Sequence, residues 1–361
     1  MKFLFLSGHA HLALDPDSQR ASGGAELQVA LLSRELAARG HGAVILAANT
    51  GQSDGIVWEG VTIRTDGRFE TGRLADALRA LPGLVRILRE EKADYVVVYG
   101  WTVWLYVLCY LRIAARFRLV FVCALDAEID GAFRRDNPLR GRLFERGMRR
   151  SASRFAITNH QARLFREKGM SCKVTRLLLA QTEFTASQQK PVDLLWVARC
   201  HPVKQPHLFL DLAERLPTAH CRMICSAQNE ALWRSVSKRA KNLRNLEFLE
   251  MVPYREIQRH FNEAKVFVNT SEHEGVPNTF IHSGLGHAAI LSLAVNPDGM
   301  FRSFNAGLYA SGDLRRLVDG AAELLENPNR LMAAQDECAR FVRAWHDNDA
   351  NIAAFLEGLP G

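Results

Sequence analysis

The chain has 361 residues, of which 48% are hydrophobic and 24% charged, and it carries a net charge of +7. That length exceeds one ordinary core and predicts two domains, and the composition is that of a globular protein, not a fibrous or disordered one. The positive balance favours an anionic partner such as a nucleotide diphosphate or an anionic lipid surface, and no aromatic-basic motif accompanies it to suggest nucleic acid.

The first strand is predicted at Phe3 to Leu6; the apolar run there is too short for a signal peptide. A polar loop, residues 9–22, leads to Gly23-Gly24-Ala25-Glu26 and then to a helical pattern through Leu27, Leu31, Leu32 and Leu36 that closes near Gly40. Strand, glycine pair, helix is an arrangement that cradles phosphate, because glycine lets the backbone approach and the helix start supplies N–H groups. A glycine pair by itself is more often a turn. Further strands are read at 43–47, within 56–65, and at 93–100, with a helix over 72–91 between the last two. The apolar stretch Trp101 to Arg116 is too short for a membrane span and reads as a core helix. The strand Leu119 to Leu125 ends at Asp126, at the edge where open α/β sheets place functional groups; that carboxylate is either a structural cap or a catalytic contact.

Residues 134–168 are rich in arginine with few acids among them. Such a face is either solvated or rests on an anionic leaflet. Thr185 to Pro191 is the predicted linker, which divides the chain into a first domain, 1–187, and a second, 188–344. After the strand Val192 to Ala198, Arg199 and Lys204 share one strand-to-helix loop, where two cations can neutralise a diphosphate leaving group. The segment Ser271 to His282 follows the apolar run Val266-Phe267-Val268. Gly275 and Pro277 make a turn, a helix starts near Asn278, and Glu274 lies on the turn, where it is either suited to sugar hydroxyls or simply solvated in a loop that Asn278 caps. The seven cysteines form no C-x-x-C pair, and no histidine cluster joins Cys221 and Cys225 into a zinc site. An odd count without a framework predicts a reducing cytoplasm.

Three stretches carry a resemblance. G-G-x-E with the following L-x-x-x-L-A-x-R-G-H, the R-x-x-x-x-K spacing of Arg199 and Lys204, and E-G-V-P-N at 274–278 together resemble the retaining GT-B glycosyltransferases of family 4. The resemblance implies an α/β, GT-B architecture: two Rossmann-like, doubly wound parallel-sheet domains facing a central cleft, with the last helix, 345–361, packed back on the first domain. It implies a UDP- or GDP-linked sugar as donor substrate, no cofactor and no metal, and a glycan or lipid-linked acceptor in cell-surface polysaccharide synthesis. Glu274 and Asp126 take the catalytic positions. Gly23, Gly24, Arg199, Lys204, Gly275, Val276, Pro277, Asn278, Thr279 and His282 take the donor-binding ones. The location it implies is cytoplasmic, peripheral on the membrane's inner face. Three departures stand out. His282 occupies the place of the family's second Glu, Leu125 the place of a histidine before Asp126, and Ala289 that of a proline. They leave a second reading open, a GT-B protein that has lost catalysis and acts as a binding or scaffold module.

Overall fold

The structure, a computed structural model, describes residues 1–18, 23–66, 74–181, 183, 184, 187 and 189–360, with 74–78 described by their backbone alone. The end of the polar loop before Gly23, the first residues of the helix expected from Gly72, and part of the Thr185 to Pro191 linker lie outside the described residues. The chain forms two compact units, Met1–Ala180 with Asn348–Gly361, and Gln181–Asp347.

The first unit is built on a sheet of eight strands: β1 (Lys2–Leu6), β2 (Gly42–Ala47), β3 (Ile56–Trp58), β4 (Val61–Thr65), β5 (Tyr95–Tyr99), β6 (Arg118–Cys123), β7 (Ser153–Ala156) and β8 (Lys173–Val174). Their spatial order is β3-β4-β2-β1-β5-β6-β7-β8, parallel except for the β3–β4 hairpin. The hairpin turns at Glu59 and Gly60, both with positive φ, the backbone that a tight two-residue reversal demands. The central strands are apolar on both faces, as a parallel sheet covered by helices requires. Phe3, Leu4, Phe5, Val96, Val97, Val120 and Phe121 are all buried.

The second unit carries β9 (Val192–Cys200), β10 (Cys221–Ala227), β11 (Leu246–Leu249), β12 (Ala264–Asn269), β13 (Ala289–Ser292) and β14 (Gly307–Tyr309). Their order is β11-β10-β9-β12-β13-β14, all parallel. Trp196, Phe209, Met223, Val266 and Leu291 anchor its core. Both units are thus Rossmann-like α/β domains.

Two expectations need correcting, and a third element is new. The helix Trp104–Ala115 buries only one face, with Tyr110 and Ile113 exposed, so its apolar content is not all core. The terminal helical stretch is two helices, Pro328–Trp345 and Asn348–Glu357, separated at His346 and Asp347. The first belongs to the second unit. The second belongs to the first, where Phe355 packs on Phe155 at 4.8 Å and Asn351 accepts from the Arg176 N–H. The third is β14, which the glycine-rich sequence around Gly307 did not suggest. Its φ of +136° and the 2.0 Å that would separate an added Cβ from the Ile290 carbonyl oxygen explain why only glycine opens this strand.

Candidate active site

In the second unit β9 and β12 are neighbours, so the loops that leave their carboxyl ends lie side by side. This is where open α/β sheets bind ligands. β9 runs two residues beyond the Ala198 expected from sequence, so Arg199 lies in the strand one residue before its end, while the loop that follows carries Lys204 in a short 3-10 turn, Pro202–Lys204. The β12 loop carries Glu274. The Lys204 Nζ lies 2.7 Å from Glu274 Oε2, and both side chains are only partly exposed. Arg199 is exposed, and no ion pair among the described residues engages it.

The two loops are laced together beneath this pair. Trp196 Nε1 donates to Thr270 Oγ1 at 2.9 Å, and Thr270 Oγ1 donates to the Lys204 carbonyl at 2.7 Å. The Glu272 N–H donates to the Val203 carbonyl at 2.9 Å. Asn269 sets Glu274: its Nδ2 donates to Glu274 Oε1 at 3.0 Å while its Oδ1 accepts the Ser271 N–H at 3.1 Å. Both amide ends are used, so the Asn269 orientation is fixed, and with it the carboxylate. Asn269 and Thr270 were missed from sequence. The available signal was two polar residues ending a buried apolar strand.

The chain then turns through Gly275, Val276 and Pro277 into the helix Asn278–Leu285. Gly275 is buried and does not use a left-handed φ. Pro277 occupies the N-cap and has no side-chain oxygen to satisfy the first N–H groups, so this end, with Asn278 and Thr279, suits an anion. The helix is seated by glycines. A Cβ on Gly284 would lie 2.3 Å from Val342 Cγ2, and one on Gly286 would lie 2.8 Å from the Phe261 backbone.

His282 lies on the same helix, one turn further in. It is 8% exposed, its ring stacks on Phe261 at 5.3 Å and meets Tyr254 edge-on at 5.9 Å. Its Nδ1 is 2.7 Å from Gln258 Oε1, while Gln258 Nε2 donates to the His282 carbonyl. Gln258 Oε1 can only accept, so Nδ1 carries the proton and Nε2 the lone pair. Burial pulls the ring's pKa down to about 4, which keeps it neutral. Where the resemblance implies a carboxylate, this position presents a neutral ring, most of it packed against the helix Tyr254–Asn262.

The remaining sequence candidates stand in the first unit. Gly23 is the N-cap of the helix Gly24–Ala38, and its carbonyl accepts the Leu27 N–H at 2.9 Å. A Cβ there would lie 2.1 Å from Glu26 Oε2, so the first-turn carboxylate folds over the glycine. Asp126 opens a 3-10 turn after β6; its Oδ1 accepts from Gln161 Nε2 at 3.0 Å, and its Oδ2 lies 3.9 Å from His160 Nε2. Two residues on, Glu128 is buried and accepts the N–H groups of Trp101 and Ala124, joining the ends of β5 and β6. Burial raises its pKa to about 7.

Residues 23–179 match the family model described as a glycosyl transferase 4-like domain, and residues 191–327 match the one described as glycosyl transferases group 1. The chain belongs to the GT-B glycosyltransferases. No curated protein matches this glycosyltransferase in sequence. Solved structures share its fold. A sucrose-phosphate synthase from Thermosynechococcus elongatus is 14% identical with a TM-score of 0.79, the match covering 99% of this chain and 98% of the other. Anabaena HepE in complex with UDP-glucose is 15% identical with a TM-score of 0.76, over 99% and 100% of the two chains. Staphylococcus aureus TarM is 9% identical with a TM-score of 0.75, over 99% of each. Among the described residues of this glycosyltransferase no group of three His, Cys, Asp or Glu side chains could hold a metal ion, and no helix is long and apolar enough to cross a membrane.

Proposed function

We propose that the protein is a retaining, metal-independent hexosyltransferase that moves a sugar from a UDP- or GDP-linked donor to a glycan or lipid-linked acceptor in cell-surface polysaccharide synthesis. The observation that carries this reading is the Lys204–Glu274 contact at the ends of adjacent parallel strands, with Arg199 near the end of the same strand that leads to Lys204. Arg199, Lys204 and the N–H groups at Asn278 and Thr279 hold the diphosphate. Two cations at the leaving group do the neutralising that a divalent ion does elsewhere. Glu274, freed on one side from Lys204 when phosphate arrives, takes sugar hydroxyls and stabilises positive charge growing at the anomeric carbon. That carbon's bond to the diphosphate breaks, the acceptor oxygen bonds to it on the same face, and the acceptor's proton passes to the departing phosphate oxygen. His282 Nε2 offers an acceptor where a carboxylate is implied.

A second reading, a binding module without turnover, rests on the packing of His282 against Gln258 and Phe261. Thermal-shift titration with UDP and GDP tests the donor assignment. One of the two raises the melting temperature by mass action, and Arg199→Ala removes the rise. Absence of a shift with either nucleotide refutes the assignment.

A further inference from the structure

In the first unit β5 and β6 are neighbours, with Tyr99 opposite Val122, so the loops that leave their carboxyl ends lie side by side. One buried carboxylate joins them. Glu128 Oε1 accepts the Trp101 N–H at 2.9 Å and Oε2 accepts the Ala124 N–H at 2.9 Å, one oxygen for each loop. The Gly100 N–H donates to the Val122 carbonyl at 2.8 Å, and its φ of +76° brings the β5 loop close: a Cβ there would lie 3.3 Å from Glu128 Oε1. Glu128 closes the 3-10 turn that Asp126 opens, and its own N–H donates to the Leu125 carbonyl at 3.1 Å. On the other loop the Trp101 ring leans on Phe133, with ring centres 5.1 Å apart. Trp101 and Asp126 are therefore placed by the same side chain.

Among the described residues no cation pairs with Glu128. The titratable groups around it are Tyr99 and Cys123 at the strand ends, Asp126 on its own turn, and Arg134, Glu145 and Lys168, which line the same small cavity. Arg134 is already engaged by Glu145 at 2.7 Å. Burying a carboxylate without a cation is costly, and a glutamine would fill the same space without the charge. What glutamine lacks is the second accepting oxygen. An ionised carboxylate accepts through both oxygens, whereas a carboxylic acid turns one of them into a donor. Protonation therefore gives up one of the two N–H groups. Burial brings this exchange to about pH 7.

We propose that Glu128 is a positioning residue: ionised, it locks the β5 and β6 loops together and fixes Trp101 and Asp126 as one unit, and protonated, it releases one of the two loops. The inference rests on the glycosyl-transfer reading only for the identity of the ligand. On that reading the second unit holds the donor, which leaves the acceptor to these loops. The charge that the lock needs costs the fold stability, a cost that a purely structural position would have no reason to carry.

The test is the tryptophan emission of the full chain titrated through neutral pH. The wild type shows a transition near pH 7. Trp101→Phe removes it, because Trp101 is the reporter. Glu128→Gln removes it, because nothing there titrates. Glu128→Asp, which keeps the charge but is too short to span both loops, removes it as well. Absence of a transition in the wild type overturns the proposal, and so does a transition that persists in Glu128→Gln or in Glu128→Asp. The donor groups lie in the second unit, so UDP or GDP raises the melting temperature of Glu128→Gln as much as that of the wild type. A nucleotide shift present in the wild type and lost in Glu128→Gln would show a general structural role and overturn the proposal too. No nucleotide shift in the wild type would instead refute the donor assignment, and the emission titration would still decide the role of Glu128.

Discussion

His282 gives the most exposed test of the physical reasoning, because its burial sets a measurable linkage. In the unfolded chain an imidazole titrates near 6.5, and in the fold burial lowers it to about 4. Between these values the unfolded chain binds a proton that the folded one refuses. The neutral ring's contribution is therefore present in full above pH 6.5 and is lost as pH falls toward 4. A gap of about 2.5 units at 1.36 kcal/mol each gives a loss of about 3 kcal/mol. Glu128 works in the opposite direction. Its pKa is raised to about 7, so its contribution is full below pH 4.5 and is lost as pH rises through 7. The two offset one another between pH 4.5 and 6.5 in any measurement that reports both units, and the wild-type profile alone is uninformative. The informative quantity is a difference. Urea unfolding of wild type and His282→Gln, followed by tryptophan fluorescence, is compared at pH 7.5 and 4.5. Glutamine keeps an acceptor and a donor beside Gln258 but does not titrate. At pH 7.5 the variant is the less stable, having lost the stack on Phe261. At pH 4.5 the gap narrows by about 2 to 3 kcal/mol. A gap of the same size at both values would show that the ring titrates normally in the fold, and the burial argument would fail.

Other expectations concern the site and its support. Glu274→Ala lowers transfer by about 10²-fold or more while the melting temperature stays within a few degrees; full transfer activity in that variant would remove its catalytic role. Gly284→Ala drives a methyl into Val342 and the Cys338 carbonyl and costs roughly 1–3 kcal/mol by overpacking; the cost appears as a lowered urea midpoint with unchanged slope, and its absence would mean the helix can shift freely. Lys190→Met leaves three carbonyls without their donor and costs about 2–3 kcal/mol in the same assay, whereas Lys190→Arg recovers part of it.

Much of the fold was legible because a parallel sheet buried on both faces writes its strands as unbroken apolar runs. Val96-Val97-Val98 and Val266-Phe267-Val268 are such runs, each ending where the chain turns polar. The site was legible for the same reason: Arg199 lies at the end of a strand and Lys204 and Glu274 follow strand ends, and adjacency of β9 and β12 brings the last two to 2.7 Å. What the sequence concealed was orientation. Little in the composition of Trp104 to Ala115 tells which stripe meets the core, because Ile113 is as apolar as Leu105 and Leu108 and tyrosine occurs both in cores and at surfaces. The direction of His282 was hidden too, since it depends on Gln258, a residue 24 positions away on another helix. Asn269 was overlooked because a polar residue ending a strand reads as the start of a loop, not as the part that fixes a carboxylate.

Lys190 shows how the helix Asn278–Leu285 is held where it is. Its Nζ donates to the carbonyls of Asn262, Ala264 and Gly286 at 3.0, 2.9 and 2.7 Å. Asn262 ends the helix that carries Gln258, and Gly286 caps the helix that opens at Asn278. The last carbonyls of a helix have no partner within it and form its negative pole, so one ammonium between two such ends satisfies both and complements both dipoles. Burial lowers this lysine to about 8, and the three hydrogen bonds it donates work against that cost. With its far end fixed by Lys190 and its middle fitted to neighbouring helices through Gly284, the helix Asn278–Leu285 cannot slide along its axis without breaking either the carbonyl clamp or the packing. Its N-terminus is then fixed relative to Glu274, which Asn269 holds independently from the strand. Two separate supports, one from each direction, converge on the few ångströms where the diphosphate and the sugar would meet. That is why Lys190→Met is expected to raise the KM for the donor as well as lower stability, while leaving Lys204 and Glu274 in contact. A variant that loses stability with an unchanged donor KM would show that the helix is placed by packing alone.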